Sequence, residues 1–391
     1  MRVRDTVDGR RTTIDLSAVR LALTLLIATR LPVLVVGALA VTVVGTIPPP
    51  TGIGLWRVST GEMANLLARW DTYYYYTIAT EGYHWNPDVF AHQNAGFFPL
   101  LPLLMRAVTT VTGIPVLIAG LVISLIAFAV AIVVLHRLAV LEIGAQRARW
   151  ASIMLATFPF ALFYSAVYAE SLFLLATVGA FYAMRRQAHW WVAICGLAAG
   201  LDRPNGFLLA LPLLFLALQP RDGATAGEHR TRALLTASAP LAGLALFCGY
   251  FLICFGDPLV YFRAKNAWGA PLLGQPPASD LPRLPGELLI KPLEVILFVV
   301  GIAVFATAAM ASRDIVRRFG LAYALLLVVN LVPPVLKQLF VGTGRYAAVT
   351  FPLFFWLALR LPQRGLWPVT VAFGTGQAVL AALFFLWHPV T

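Results

Sequence analysis

The residues best equipped for chemistry crowd into the segment from Arg69 to Pro102. It holds Asp71, Glu81 and Asp88, the imidazoles of His84 and His92, the polar or aromatic neighbours Trp85, Asn86 and Asn94, and tyrosines at 73–76 and 83. A carboxylate among such groups can take a proton from an attacking hydroxyl. Tyrosine and tryptophan faces suit a sugar ring or the membrane interface. Acids and imidazoles beside long apolar runs are expensive unless something polar binds there, so this segment is read as the active-site loop.

From Asp71 to Ala79 the spacing predicts a helix, with Tyr74, Tyr75 and Ile78 above Asp71 on one face. Asp71 can then be a helix cap, a catalytic base, or both. Trp70 and the run of tyrosines form a belt able to hold a lipid-linked glycan beside that carboxylate.

The elements around this loop follow from composition. With 60% hydrophobic and 12% charged residues over 391 positions, against roughly 25% charge in soluble domains, the chain reads as an all-α polytopic membrane protein. Apolar runs able to cross the bilayer occur near 21–45, 116–135, 150–164, 171–184, 190–201, 206–218, 233–255, 288–311, 319–336, 347–359 and 366–387, which predicts about eleven transmembrane helices. The run from Phe98 to Val111, with Pro99, Pro102 and Arg106, suits a partly embedded helix better than a lipid-facing one.

The net charge of +12 is distributed as a topology signal and not as a nucleic-acid surface. Arg2, Arg4, Arg10, Arg11 and Arg20 precede or open the first span, which places the N-terminus in the cytoplasm. Arg137/Arg147/Arg149, Arg185/Arg186, Arg221/Arg230/Arg232, Arg313/Arg317/Arg318 and Arg360/Arg364 then fall on that same side. The opposite, extracytoplasmic side receives the Asp71 loop, Glu170, the stretch Asp202 to Gly206, the stretch Gly256 to Glu287, and Arg345. One domain over 1–391 is expected, with a cytoplasmic tail over 1–20 and a large first extracytoplasmic loop over 46–97.

The first span reads as a retained signal-anchor. Cys195, Cys248 and Cys254 lie in apolar runs without metal spacing and read as buried thiols. No nucleotide-binding loop is seen. His84 and His92, eight apart with flanking acids, are not at a recognised ligand spacing, so no metal and no cofactor are assigned.

Several motifs taken together resemble one family. Trp70-Asp71, Tyr76 to Tyr83, Ala95 to Pro102, Phe163 to Phe173 and Asp202-Arg203-Pro204-Asn205-Gly206 are similar, in order, to the signature of the PIG-V-type mannosyltransferases, GPI mannosyltransferase II and its bacterial homologues, of the GT-C superfamily. Gly344-Arg345-Tyr346 is a weaker late match. The chain departs from the eukaryotic pattern after Trp70-Asp71, where tyrosines replace histidine, and over Phe262 to Trp268, so the GPI acceptor is not carried over. The resemblance implies a GT-C-type bundle, a polyprenyl-phosphate-mannose donor, inverting transfer to a glycolipid or glycan acceptor on the extracytoplasmic face, and no soluble nucleotide.

Without a nucleotide site, cations at the bilayer surface must hold the donor phosphate, and Arg203, Arg263, Lys265 and Arg345 lie on that side; each alone can equally mark topology or snorkel. Asp71 is the expected base. Trp70, Tyr74, Tyr75, Glu81, His84, His92, Glu170, Asp202 and Asn205 are the expected substrate contacts, with solvated loop positions, helix caps or ion pairs as the alternative roles. A transporter or flippase of lipid-linked sugars would share the helices and the belt. It would need ionisable groups deep in the spans, of which Arg30 is the clearest.

Overall fold

The computed structural model describes residues 15–45, 56–88, 91–219, 226–268, 292–338 and 340–390. Arg2, Arg4, Arg10 and Arg11 of the expected tail, positions 46–55 of the expected loop, Arg221, and positions 269–287 of the later stretch lie outside the described residues.

Among the described residues all regular structure is helical. In chain order the main helices are α1 (Leu16–Val43), α2 (Thr72–Thr80), α3 (Leu100–Thr112), α4 (Val116–Ile143), α5 (Ala145–Thr157), α6 (Glu170–Arg185), α7 (His189–Asp202), α8 (Phe207–Ala217), α9 (His229–Phe255), α10 (Val260–Ala264), α11 (Pro292–Phe319), α12 (Leu321–Gln338), α13 (Thr343–Ala348), α14 (Phe351–Arg360) and α15 (Gln363–Phe385). Five of them, α1, α4, α9, α11 and α15, are long and apolar enough to cross a membrane, and a sixth span arises if the bent pair Pro159–Ser165 and α6 counts as one. Several other predicted spans are shorter apolar helices, among them α8, α12 and α14. The chain is a multi-pass membrane protein.

Proline and glycine set boundaries that the apolar runs obscure. The run 150–164 is not one helix: Pro159 has no N–H to give, so α5 stops at Thr157 and a tight 3-10 turn, Pro159–Ser165, follows. The axis then bends by 101° into α6. The run 319–336 likewise starts late, because Gly320 takes φ +94° and parts α11 from α12. Arg137 and Arg313, expected in loops, lie within α4 and α11, and Arg317 and Arg318 lie on the last turn of α11.

Arg30 is 1% exposed. It donates to the carbonyls of Ala156 (2.6 Å) and Ala161 and to Gln377 Oε1 (3.2 Å). Gln377 Nε2 donates to the Phe158 carbonyl at 2.9 Å. The Ala156 carbonyl is one of those left open at the end of α5, and the Phe158 carbonyl also accepts from the Ala161 N–H at 2.8 Å. The deepest cation of the first span therefore closes a helix end and lines no passage.

The bundle has two polar ends. At one, Glu142 Oε1 at the close of α4 accepts from Arg185 Nε and from the Tyr323 hydroxyl, both at 2.8 Å, and Arg147 donates to the carbonyls of Ala358 (2.6 Å) and Leu361 (3.0 Å). Glu170 opens α6 at the other end, roughly 22 Å away at 1.5 Å per residue. Two glycines draw further segments to it. A Cβ on Gly200 would meet the Pro240 carbonyl and one on Gly344 the Phe160 ring, so α7 closes on α9 and α13 closes on the 3-10 turn.

Candidate active site

Asp71 is the residue before α2, yet its carboxylate does not cap that helix. It turns to Arg345 Nη1, 2.9 Å away across 274 positions of sequence. Arg345 Nε reaches Glu170 Oε1, which also accepts from Arg203 Nη1 at 2.9 Å. The order is thus Asp71, Arg345, Glu170, Arg203, alternating in sign and drawn from the loop before α2, α13, the elbow before α6 and the end of α7.

Burial is graded along this chain of charge. The Glu170 side chain is 0% exposed and Arg203 6%, whereas Arg345 is 14% and Asp71 30% exposed. The guanidinium of Arg345 lies 4.7 Å from the Tyr168 ring centre and 4.9 Å from that of Phe163; that of Arg203 lies 4.9 Å from Tyr346. Aromatic faces shield the cations from water and strengthen their pairing. Burial opposes the charge on Arg345, but Glu170 and Asp71 outweigh it and hold the pKa well above arginine's ordinary value. Arg203 is raised in the same way, chiefly by Glu170. Both stay cationic at any physiological pH. The Tyr168 hydroxyl accepts from the Asp71 N–H at 3.2 Å; burial, then the Asp71 charge, pushes its pKa well up.

Hydrogen-bonding capacity remains unused here. Glu170 Oε2, both carboxylate oxygens of Asp202 and Asn205 Oδ1 are buried without a partner. Burial pushes the Asp202 carboxyl well above its ordinary range, only partly offset by Arg203. Among the described residues no three His, Cys, Asp or Glu side chains are grouped to hold a metal ion.

The other expected contacts are placed unevenly. Tyr75 is buried against Phe97 and Tyr168, and Tyr74 stacks on Phe97 with centroids 4.4 Å apart. Lys265 Nζ sits 4.6 Å from the Phe97 centroid, joining the same aromatic cluster. Trp70 packs on Trp387. Asn205 donates to Asn330 Oδ1 at 2.5 Å. Glu81 and His84 pair with each other at 3.3 Å on the surface, His92 meets the Ala267 carbonyl at 2.8 Å, and Arg263 pairs with Asp257 at 2.8 Å with its side chain 55% exposed. Glu81, His84 and Arg263 thus find their ion-pair partners outside the Asp71 network. The sequence reading did not assign Tyr168, Phe163 or Tyr346 to the site; Phe163 and Tyr168 lie within the very motif that carries Glu170.

A family profile described as mannosyltransferase (PIG-V) matches residues 38–264, more than half of the chain. The chain belongs to that family. The match contains Asp71, Glu170 and Arg203; Arg345 lies beyond it. Among solved structures this mannosyltransferase-family chain is similar to the Archaeoglobus fulgidus oligosaccharyltransferase in the apo form, with a TM-score of 0.46 and 14% identity over 94% of this chain and 56% of that one. It is also similar to oligosaccharyltransferase AglB of the same organism in complex with an inhibitory peptide and a dolichol-phosphate, with a TM-score of 0.42 and 14% identity over 92% and 56%. The chain spans about half the length of those proteins. No curated protein matches it.

Proposed function

We propose that the chain is an inverting mannosyltransferase that moves mannose from polyprenyl-phosphate-mannose to a glycolipid or glycan hydroxyl on the extracytoplasmic face, with Asp71 as general base. The observation that carries this reading is the single arginine, Arg345, shared between a half-open carboxylate, Asp71, and a buried one, Glu170. The donor phosphodiester bears one negative charge and gains a second as the glycosidic oxygen departs. Arg345 can swing its Nη1 from Asp71 to that phosphate while Glu170 keeps hold of its Nε, and Arg203 backs Glu170. Asp71, released, accepts the proton of the acceptor hydroxyl. The hydroxyl oxygen bonds to C1 of mannose, the C1–O bond to phosphate breaks with its electron pair, and a β-linked donor gives an α-mannoside.

Tyr74, Tyr75 and Phe97 offer ring faces for the sugar, and Lys265 lies beside them. Among the described residues the five long helices, the bent pair and the four shorter apolar helices give ten apolar segments to thread, close to the eleven expected of a GT-C-type bundle, with the Glu142 end cytoplasmic. A single cysteine at Asp88 should label with a membrane-impermeant maleimide in intact cells, and one at Gly223 should not. Transport of lipid-linked sugar loses its main support with Arg30 tied to carbonyls. Purified protein in detergent, where no compartments exist, should transfer mannose from a synthetic donor; donor binding without turnover would overturn the enzyme reading.

A further inference from the structure

Asp71 follows a residue in an unusual backbone state: Trp70 has φ +51°. Trp387, just past α15, has φ +69°. Side chains this bulky seldom enter the left-handed region, where Cβ crowds the backbone carbonyl. The two indoles meet each other, 5.4 Å between centroids.

The end of α15 explains the second. The Trp387 N–H donates to the Phe384 carbonyl (3.2 Å) and the His388 N–H to that of Leu383 (2.9 Å). This closing pattern normally takes glycine at the left-handed position. Tryptophan stands there instead, 5% exposed, its ring 5.2 Å from the guanidinium carbon of Arg69. Arg69, 1% exposed, donates through Nε to the Phe385 carbonyl at 2.9 Å and through Nη1 to the carbonyls of Asn65 and Ala68. Asn65, fully buried, holds the preceding loop through the carbonyls of Ser59 (2.7 Å) and Gly61 (2.9 Å) and the N–H of Val58 (2.8 Å). Backbone strain of this kind persists only where surrounding contacts over-determine it, and it collects at functional sites.

We infer that Arg69 and Trp387 form a clasp between the end of α15 and the loop, whose task is to fix the Trp70 turn and so the position of the Asp71 carboxylate. They are positioning residues, acting through Asp71, and the role rests on the reading of Asp71 as base. Glu170 holds Arg345 through Nε and Arg203 through Nη1 independently of Asp71, so loosening the clasp leaves those phosphate contacts in place.

The test compares Trp387→Gly, Trp387→Phe and Asp71→Asn as full-length proteins in detergent, measuring donor KM, and kcat per folded molecule by donor-binding titration. Glycine suits the backbone but removes the ring. Trp387→Gly should lose roughly 10²-fold in kcat, the scale of an ångström of misplacement at a reacting group, with donor KM unchanged; Trp387→Phe should recover to within a few-fold. If Trp387→Gly does not fold, Arg69→Lys, which keeps the charge but not the planar fork, is read by the same criteria. Unchanged kcat per folded molecule, or KM rising as kcat falls, overturns the clasp. A fully active Asp71→Asn overturns the base reading and the clasp's role with it, whereas an inactive Asp71→Asn beside a fully active Trp387→Gly overturns the clasp alone.

Discussion

Both polar ends of the bundle contain acids and arginines, and they are built to different standards. At the Glu142 end the carboxylate is matched to Arg185 and Tyr323, and that arginine reaches solvent with 42% of its side chain exposed. At the Asp71 end Arg345 serves two carboxylates at once, Glu170 keeps an oxygen without a partner at 0% exposure, and Asp202 has none for either. Buried polar groups are costly when unpaired. The contrast teaches that an ion pair alone does not mark a site; unspent capacity beside a half-open carboxylate does.

The sharpest break in that comparison is Asp71→Asn. The amide keeps the size and removes the basic lone pair, so transfer should fall by the roughly 10²–10⁴-fold of acid–base catalysis while thermal melting falls only modestly, since Asp71 caps nothing and Arg345 keeps its bond to Glu170. Near-normal transfer by the folded variant would place the chemistry elsewhere. Glu170→Gln should come next, because it strands the buried Arg203 and leaves Arg345 with Asp71 alone: a loss of about 3–5 kcal/mol of stability, against about 1 kcal/mol for Glu142→Gln, whose partner Arg185 is free to hydrate. Equal losses at the two ends, measured by chemical denaturation, would erase the distinction.

How far the site was readable varies by residue. Asp71, Glu170, Arg203 and Arg345 each stand out in the sequence as a charge at the edge of an apolar run. That one arginine bridges Asp71 and Glu170 could not be read, because the partners lie 274 and 175 positions away and a charge at a span end looks the same whether it snorkels or pairs. Capping by Asp71 was a fair local reading of an acid before a helix, and a distant cation overrode it. Trp70 and Trp387 are harder still, since backbone sign leaves no trace in a tryptophan's identity. The helix ends at Pro159 and Gly320 were legible; continuous hydrophobicity outweighed them in the span reading.

The cations sharpen the comparison further. Arg345→Ala should raise the donor KM, since a charge-assisted contact to phosphate contributes about 1.5–3 kcal/mol. Arg263→Ala, removing an exposed arginine already paired with Asp257, should change donor use by no more than about 0.5 kcal/mol. Equal effects would mean that position near the surface, and not membership of the Asp71 network, decides which cations hold donor.

The smallest expected effect concerns Asp202, where the two ends should differ in sign. Burial is the largest influence on this carboxyl and raises its pKa, Glu170 adds to the rise, and Arg203 only partly opposes it. An acid whose pKa is higher folded than unfolded binds its proton more tightly in the folded state. Its contribution to stability is therefore present below the unfolded value near 4 and is lost as pH climbs toward the folded one. Asparagine has nothing to lose over that window. Asp202→Asn should accordingly melt above wild type at pH 7.5, by a margin that vanishes as pH approaches about 4, whereas Glu142→Gln, deprived of an ion pair, should melt below wild type at pH 7.5. An Asp202→Asn protein less stable than wild type at pH 7.5 would mean that Asp202 is ionised and bound to a cation, and Arg203 would then be divided between two carboxylates, as Arg345 is.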